Sequence, residues 1–195
     1  MDELEIIAEE IRKCKKCPLH KTRKNAVPGE GAKDAEIMFV GEAPGRNEDE
    51  QGRPFVGAAG EFLTELISMI GMTREEVFIT NVVKCRPPHN RDPKPEEIEA
   101  CSPFLDRQIK AISPRIIVGL GRHSTSYLFR KAGLKFRSIG AVRGKIVEVE
   151  LLGLRVKLLP TYHPAASLYN PAVKDRIVED FLKLKREGAD LTKYF

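Results

Sequence analysis

The stretch "AEIMFVGEAPGRNEDEQGRPFVGAAGEFLTELISMIG", residues 35–71, decides the architecture. It opens on the unbroken apolar run Ile37–Val40, the pattern of a strand buried on both faces. From Gly57 onward its apolar positions recur at helical spacing and stop at Gly71, a residue suited to the end of a helix. Between strand and helix lies a corner crowded with Gly, Pro and carboxylates. That corner must serve something other than a short connection.

The same alternation extends in both directions. Leu4, Ile7, Ala8 and Ile11 predict a helix over residues 2–13 that leads into Cys14. "EVFITNVVKC" (76–85) reads as a second strand, followed by the Pro-rich loop "RPPHNRDPKP" (86–95). A helix is expected from Pro95 to Ile112, with Glu96 and Glu97 suited to its first turn. "PRIIVGLG" (114–121) is a third strand and "RHSTSYLFRKAG" (122–133) the helix after it. Two further strands flank a turn near Gly153. A last helix covers about residues 172–186, ahead of a tail, "GADLTKYF" (188–195), expected to be loosely held. Strands apolar on both faces, alternating with helices, argue for a parallel sheet covered on both sides. Ligands in such folds bind at the carboxyl ends of the strands.

The 195 residues, 42% hydrophobic and 31% charged, belong to a folded chain rather than a disordered one. The acidic, amphipathic N-terminus is unlike a secretory signal, and no apolar run reaches transmembrane length, so a cytoplasmic location beside the DNA is expected. In that compartment the four cysteines are not expected as disulfides. The net charge of +5 favours a polyanionic partner only weakly. Arg12, Lys13, Lys15, Lys16, Lys21, Arg23 and Lys24 crowd one segment, which a solvated charged face explains equally well.

"GLGRHSTS" (119–126) imitates a dinucleotide fingerprint, yet Ser124 replaces the third glycine and no acid follows at the required distance. Tight packing of strand on helix explains it better. No G-K-[ST] phosphate loop occurs, which argues against an ordinary NTPase. Cys14 and Cys17 form a C-x-x-C pair, with Cys85 and Cys101 further along. Two intervening residues let both thiolates meet one metal centre from a single turn, so a four-thiolate site is expected. Spacing alone leaves zinc and iron–sulfur both open.

In the opening corner, Gly41 and Gly45 would let backbone N–H groups approach a ligand without Cβ obstruction. Glu42 and Glu48 are candidates for acid–base or recognition work. Phe55 looks exposed between glycines, ahead of a helix N-terminus. Asn81, at the end of the second strand, offers one donor and one acceptor to a ligand edge. His163 follows a strand and precedes Pro164. His20, His89 and His123 offer no reason to be singled out.

Taken together, "GEAPGRNED", "GRPFVGAAG", "TNVVKCRPP" and "YHPAAS", with four cysteines in this order, closely resemble the family 4 uracil-DNA glycosylases. The resemblance runs from Cys14 to the last helix. It implies a three-layer α/β/α sandwich around a mainly parallel four-stranded sheet. The chain would be one domain over residues 1–195, its N-terminal segment (about residues 1–30) tied on by the metal centre. The implied activity is monofunctional removal of uracil from single- and double-stranded DNA, the first step of base excision repair. A structural 4Fe–4S cluster would sit on Cys14, Cys17, Cys85 and Cys101. The partner is DNA, with a replication clamp conceivable beside it, and the working unit a monomer.

The resemblance also distributes roles. His163 would hydrogen-bond the uracil O2 as negative charge develops there, helped by backbone N–H groups around Glu42 and Ala43. Such a donor typically contributes about 2.7–4 kcal/mol in a dry site. Asn81 would read the Watson–Crick edge, where cytosine leaves buried groups unpaired at about 1–3 kcal/mol each. Phe55 would stack on the flipped base, and Glu48 would crowd its C5 so that a thymine methyl does not fit. Ser167 or Leu168 in "HPAASLYNP" would fill the space the base leaves.

Two departures matter. The best-known uracil-DNA glycosylases carry G-Q-D-P-Y-H, whereas Ala43 and Gly45 stand here in place of its Asp and Tyr, leaving Glu42 as a candidate to orient water. The K-R-R-I-H insertion of a covalently trapping group is absent. Two rival readings remain, a non-catalytic module that binds damaged or single-stranded DNA and a nucleosidase acting on free deoxyuridine.

Overall fold

The computed structural model describes residues 1–191, with side chains described through Glu187. Six strands form one sheet: β1 (Glu30–Gly31), β2 (Ile37–Gly41), β3 (Phe78–Asn81), β4 (Ile116–Leu120), β5 (Val147–Leu151) and β6 (Leu154–Thr161). Their order is β1-β3-β2-β4-β6-β5. The four inner strands run parallel, and β1 and β5 pair antiparallel at the two edges. The expected parallel core is therefore present, widened by an edge strand on each side.

The helices are α1 (Glu3–Lys13), α2 (Arg46–Gln51), α3 (Ala58–Met69), α4 (Pro95–Ile112), α5 (Arg122–Lys131), α6 (Ile139–Val142) and α7 (Pro171–Leu191). Side-chain alternation along β2 shows the three layers directly. Met38 and Val40 join a core with Ile7, Ile11, Phe104 and Leu128, from α1, α4 and α5. Ile37 and Phe39 face the other way, into a core with Phe62, Leu63, Ile177 and Phe181 from α3 and α7. Every residue of β2 is buried, which is why its sequence shows no polar alternation. No described helix is long and apolar enough to cross a membrane.

Several elements depart from expectation. The second strand ends at Asn81 rather than at Cys85. Beyond it the chain crosses the end of β2, with Val82 and Val83 N–H groups donating to the carbonyls of Gly41 and Glu42, both at 3.0 Å. The corner after β2 contains a helix, α2, where sequence suggested only loop. Gly52, at φ +70°, closes it with an N–H bond of 2.7 Å to Glu48 O. Asp49 on α2 is buried and accepts from the Lys24 and Asn25 N–H groups at 2.9 and 3.2 Å. This carboxylate ties the N-terminal segment to the corner after β2. The last helix continues to Leu191, into the tail expected to be loose, and residues 192–195 lie outside the described residues.

Candidate active site

The sheet order changes direction at β2, since β3 lies on one side of it and β4 on the other. A crevice at the carboxyl ends of the strands follows from that reversal. Glu42 and Ala43 leave β2 there, Asn81 ends β3, Gly121 follows β4, and Tyr162 and His163 follow β6. Topology thus gathers residues from four separate motifs at one sheet edge.

Phe55 corrects one expectation, being buried at 5% exposure rather than exposed. Its backbone sits at φ +50°, an unusual conformation for an aromatic residue. Gly60 makes the turn feasible, because a Cβ there would lie 2.0 Å from the Phe55 carbonyl carbon. The ring stacks on the His163 imidazole at 5.5 Å between centroids.

Gly41 serves the site differently from the reading above. Neither it nor Gly45 adopts a positive φ. A Cβ on Gly41 would stand 2.4 Å from Asn81 Oδ1 and 2.7 Å from Phe55 Cζ, so its absence lets the amide and the ring close on one space. Asn81 is 2% exposed, and its Oδ1 has no hydrogen-bond partner. A buried amide oxygen left free at the carboxyl ends of the strands is what a ligand N–H would complete.

His163 Nδ1 accepts the Ala165 N–H at 3.0 Å, so in the neutral ring the proton sits on Nε2. Burial pulls the imidazole's pKa down to about 4, which keeps it neutral near pH 7. The group is therefore a neutral donor. Gly121, at φ +97°, lets β6 approach, since a Cβ would meet His163 Cβ at 3.0 Å. Gly119 likewise packs on Thr125, so "GLGRHSTS" is strand-helix packing as expected.

Glu48, on the first turn of α2, is half-buried, and burial raises its carboxyl pKa while the Glu48 and Gly45 N–H groups oppose. Burial also raises Glu42, opposed chiefly by His123, while Asp92 pushes it further up. His123 Nε2 lies 3.6 Å from Glu42 and 3.4 Å from Asp92, and Arg122 grips Asp92 at 2.6 Å. Nothing in the motif pattern singled out His123, yet its place on the first turn after β4, beside β2, was a topological signal. Leu168 and Tyr169 are exposed, at 47% and 91%, beyond the Ser167 hydroxyl bonded to Pro164 O at 2.7 Å.

A second recess, on the α1–α4 side, is lined by Cys14, Cys17, Cys85 and Cys101 together with Lys16, Arg23 and Phe104. Donors already face three sulfurs. Lys84 N–H lies 3.2 Å from Cys101 Sγ, Arg23 Nη1 is 3.1 Å from Cys85 Sγ, and Lys16 N–H is 3.5 Å from Cys14 Sγ. Such bonds suit thiolate ligands. Burial raises Cys17 and Cys85 and pushes Cys101 up to about 12, so a cation among these three would favour their thiolate forms. The residues fit a metal centre. Within the basic N-terminal segment, Arg23 thus serves the cysteines, while Arg12 and Lys24 pair with Glu9 and Glu50.

Comparison with known proteins places this geometry. Residues 28–183 match the model of the uracil DNA glycosylase superfamily. The chain is 61% identical to a type-4 uracil-DNA glycosylase of Saccharolobus solfataricus, over 95% of this chain and 86% of that one. It is 54% identical to the type-4 enzyme of Archaeoglobus fulgidus, over 94% and 92%. A type-4 uracil-DNA glycosylase of Thermotoga maritima is 49% identical, over 95% and 96%.

Proposed function

The chain belongs to the uracil DNA glycosylase superfamily, and from that premise we propose that its crevice excises uracil from DNA. The enzyme hydrolyses the N-glycosidic bond and leaves an abasic site, as the type-4 names of its relatives indicate. Single- and double-stranded DNA are both substrates in this reading, and one domain carries out the whole reaction as a monomer.

The observation that carries the assignment is the free, buried Oδ1 of Asn81. In a flipped uracil, N3–H donates to that oxygen and O4 accepts from the Asn81 amide. Cytosine presents the reverse pattern and strands both groups. His163 Nε2–H donates to O2 and strengthens its hold as the base departs as an anion. The backbone N–H of Ala43 assists. Phe55 forms the face on which the ring stacks, and Glu48 occupies the space a thymine methyl would need. Glu42 orients the attacking water. Ser167 and Leu168 enter the gap in the duplex.

The cysteine centre is read as a 4Fe–4S cluster with a structural role. Among the described residues the one group of three metal-ligating side chains that all lie within 4.8 Å of one another is Glu42, Asp92 and His123, so no three of the thiol sulfurs are gathered that closely. A single tetrahedral zinc, with bonds of about 2.3 Å, needs sulfurs roughly 3.8 Å apart. A wider frame favours a polynuclear centre. Iron and sulfide content, with the visible absorption of the purified protein, tests this directly.

The role assignment is tested by His163→Ala and Asn81→Ala under single-turnover conditions. Each should lower the excision rate by roughly 10²–10³-fold, the scale of losing one transition-state donor. Unchanged rates in both variants would overturn it.

A further inference from the structure

Lys84 is 1% exposed, one of the largest fully buried side chains in the molecule. Its Nζ donates to Thr80 Oγ1 at 2.6 Å, to the Asn81 main-chain oxygen at 2.7 Å and to Gln108 Oε1 at 2.7 Å. The two carbonyl oxygens only accept, and the Thr80 hydroxyl donates to Pro28 O at 3.0 Å. Burial pulls the Lys84 pKa down to about 7, but with the hydroxyl hydrogen on Pro28 O the geometry offers three acceptors, which only the three hydrogens of an ammonium fill. Gln108 Nε2 donates to the same Pro28 carbonyl at 2.7 Å and closes a fully satisfied ring.

The ring satisfies the hydrogen bonds of Lys84 but not its charge. No carboxylate is among its partners, and an unpaired buried cation is costly. The one acidic group whose charge bears on the ammonium is the Cys101 thiol. The Lys84 main-chain N–H meets Cys101 Sγ at 3.2 Å, and Cys85 is the next residue in the chain. Four thiolates holding a metal centre carry the negative charge that the ammonium lacks.

We propose that Lys84 is a positioning residue that joins the two sites, as buried counter-charge to the four-cysteine centre and as the clamp on the main chain of Asn81. The clamp half rests on the reading of Asn81 as the base reader. Through one residue, its main-chain N–H on the Cys101 sulfur and its Nζ on Asn81 O, the centre and the end of β3 are held in a fixed relation. The side-chain amide of Asn81 has no protein partner of its own at Oδ1, so its aim depends on how firmly that main chain is gripped.

The test is Lys84→Met in the full chain, which keeps the length of the stem and removes the charge. Two readouts are taken beside wild type and Asn81→Ala. The first is the rate at which a chelator strips the centre, followed by visible absorption. The second is single-turnover excision from a one-uracil oligonucleotide, with affinity for the same undamaged DNA measured separately. The proposal expects the centre to be lost and the excision step to slow by about 10- to 100-fold each, the usual scale for residues that orient ligands from behind, while DNA affinity stays within about twofold. A residue of merely structural weight would lower the melting temperature and leave both rates alone.

Folded Lys84→Met with wild-type chelation and excision rates overturns the proposal. If Asn81→Ala is inactive beside it, the reading of Asn81 survives. If Asn81→Ala is fully active, the reading of Asn81 and the clamp both fall, and chelation alone judges the counter-charge. Should Lys84→Met not fold, Gln108→Leu replaces it, since it keeps the ammonium and removes one acceptor. Slower excision with an unchanged chelation rate then supports the clamp, and wild-type excision overturns it.

Discussion

His123 Nε2 lies 3.6 Å from the carboxylate of Glu42 and 3.4 Å from that of Asp92. One imidazole edge, from the first turn of α5, thus faces the only carboxylate that stands directly after β2. Glu42 is half-buried, and burial raises its pKa, with His123 as the chief opposing influence. Asp92 pushes the pKa up and Arg122 pulls it down, which completes the set of charged groups around it.

If ionised Glu42 orients water, the excision rate falls as pH drops through its pKa. His123→Asn removes the main group that favours the charged form. The pKa of Glu42 should then rise, and the acid limb of the pH–rate profile should move to higher pH. Single-turnover rates across the acid range check this. A superimposable acid limb would mean that Glu42 does not act as an ionised group.

Gly41→Ala should damage the site without touching any reacting group. The new Cβ would meet Asn81 Oδ1 at 2.4 Å and Phe55 Cζ at 2.7 Å, both on elements fixed by packing. Overpacking of this kind typically costs about 1–3 kcal/mol. A lowered denaturant midpoint together with a loss of excision larger than that of DNA binding is expected. Wild-type values for both would show that the space between amide and ring is not needed.

Cys101→Ser should loosen the α1 side of the molecule before the sheet. Cys101 lies on α4, Cys85 follows β3, and Cys14 and Cys17 follow α1, so a centre held by all four would bridge elements distant in sequence. Removing a ligand weakens the hold on residues 14–24, which Leu19 in the core, Arg23 on Cys85 and Asp49 through Lys24 and Asn25 still anchor. Limited proteolysis should cut first in that segment, and the melting temperature should fall. Cleavage elsewhere first would contradict the tethering role.

Much of this was legible in the chain because burial on both faces leaves a direct signature. Ile37–Val40 and Ile116–Leu120 read as strands with no polar alternation, and the helix from Pro95 to Ile112 carries its own start signals. What escaped depends on neighbours brought together by folding. α2 is too short for periodicity to register, and its end is set by the φ of Gly52. A lysine in sequence reads as solvent-facing, so Lys84 becomes visible only once Thr80, Asn81 and Gln108 surround it. Phe55 read as exposed because nothing local shows that Gly60 and His163 close over it. His123 needed the adjacency of β2 and β4 before it meant anything.

The central claim is tested most directly with end-labelled oligonucleotides carrying one uracil opposite G, opposite A, or in a single strand. Matched thymine and cytosine controls run beside them, and alkali is added afterwards to break abasic sites. The account predicts alkali-dependent cleavage at uracil in all three contexts and none at thymine or cytosine. Protein with an intact metal centre that releases no base in any uracil context would contradict it, and would leave a DNA-binding module in place of an enzyme.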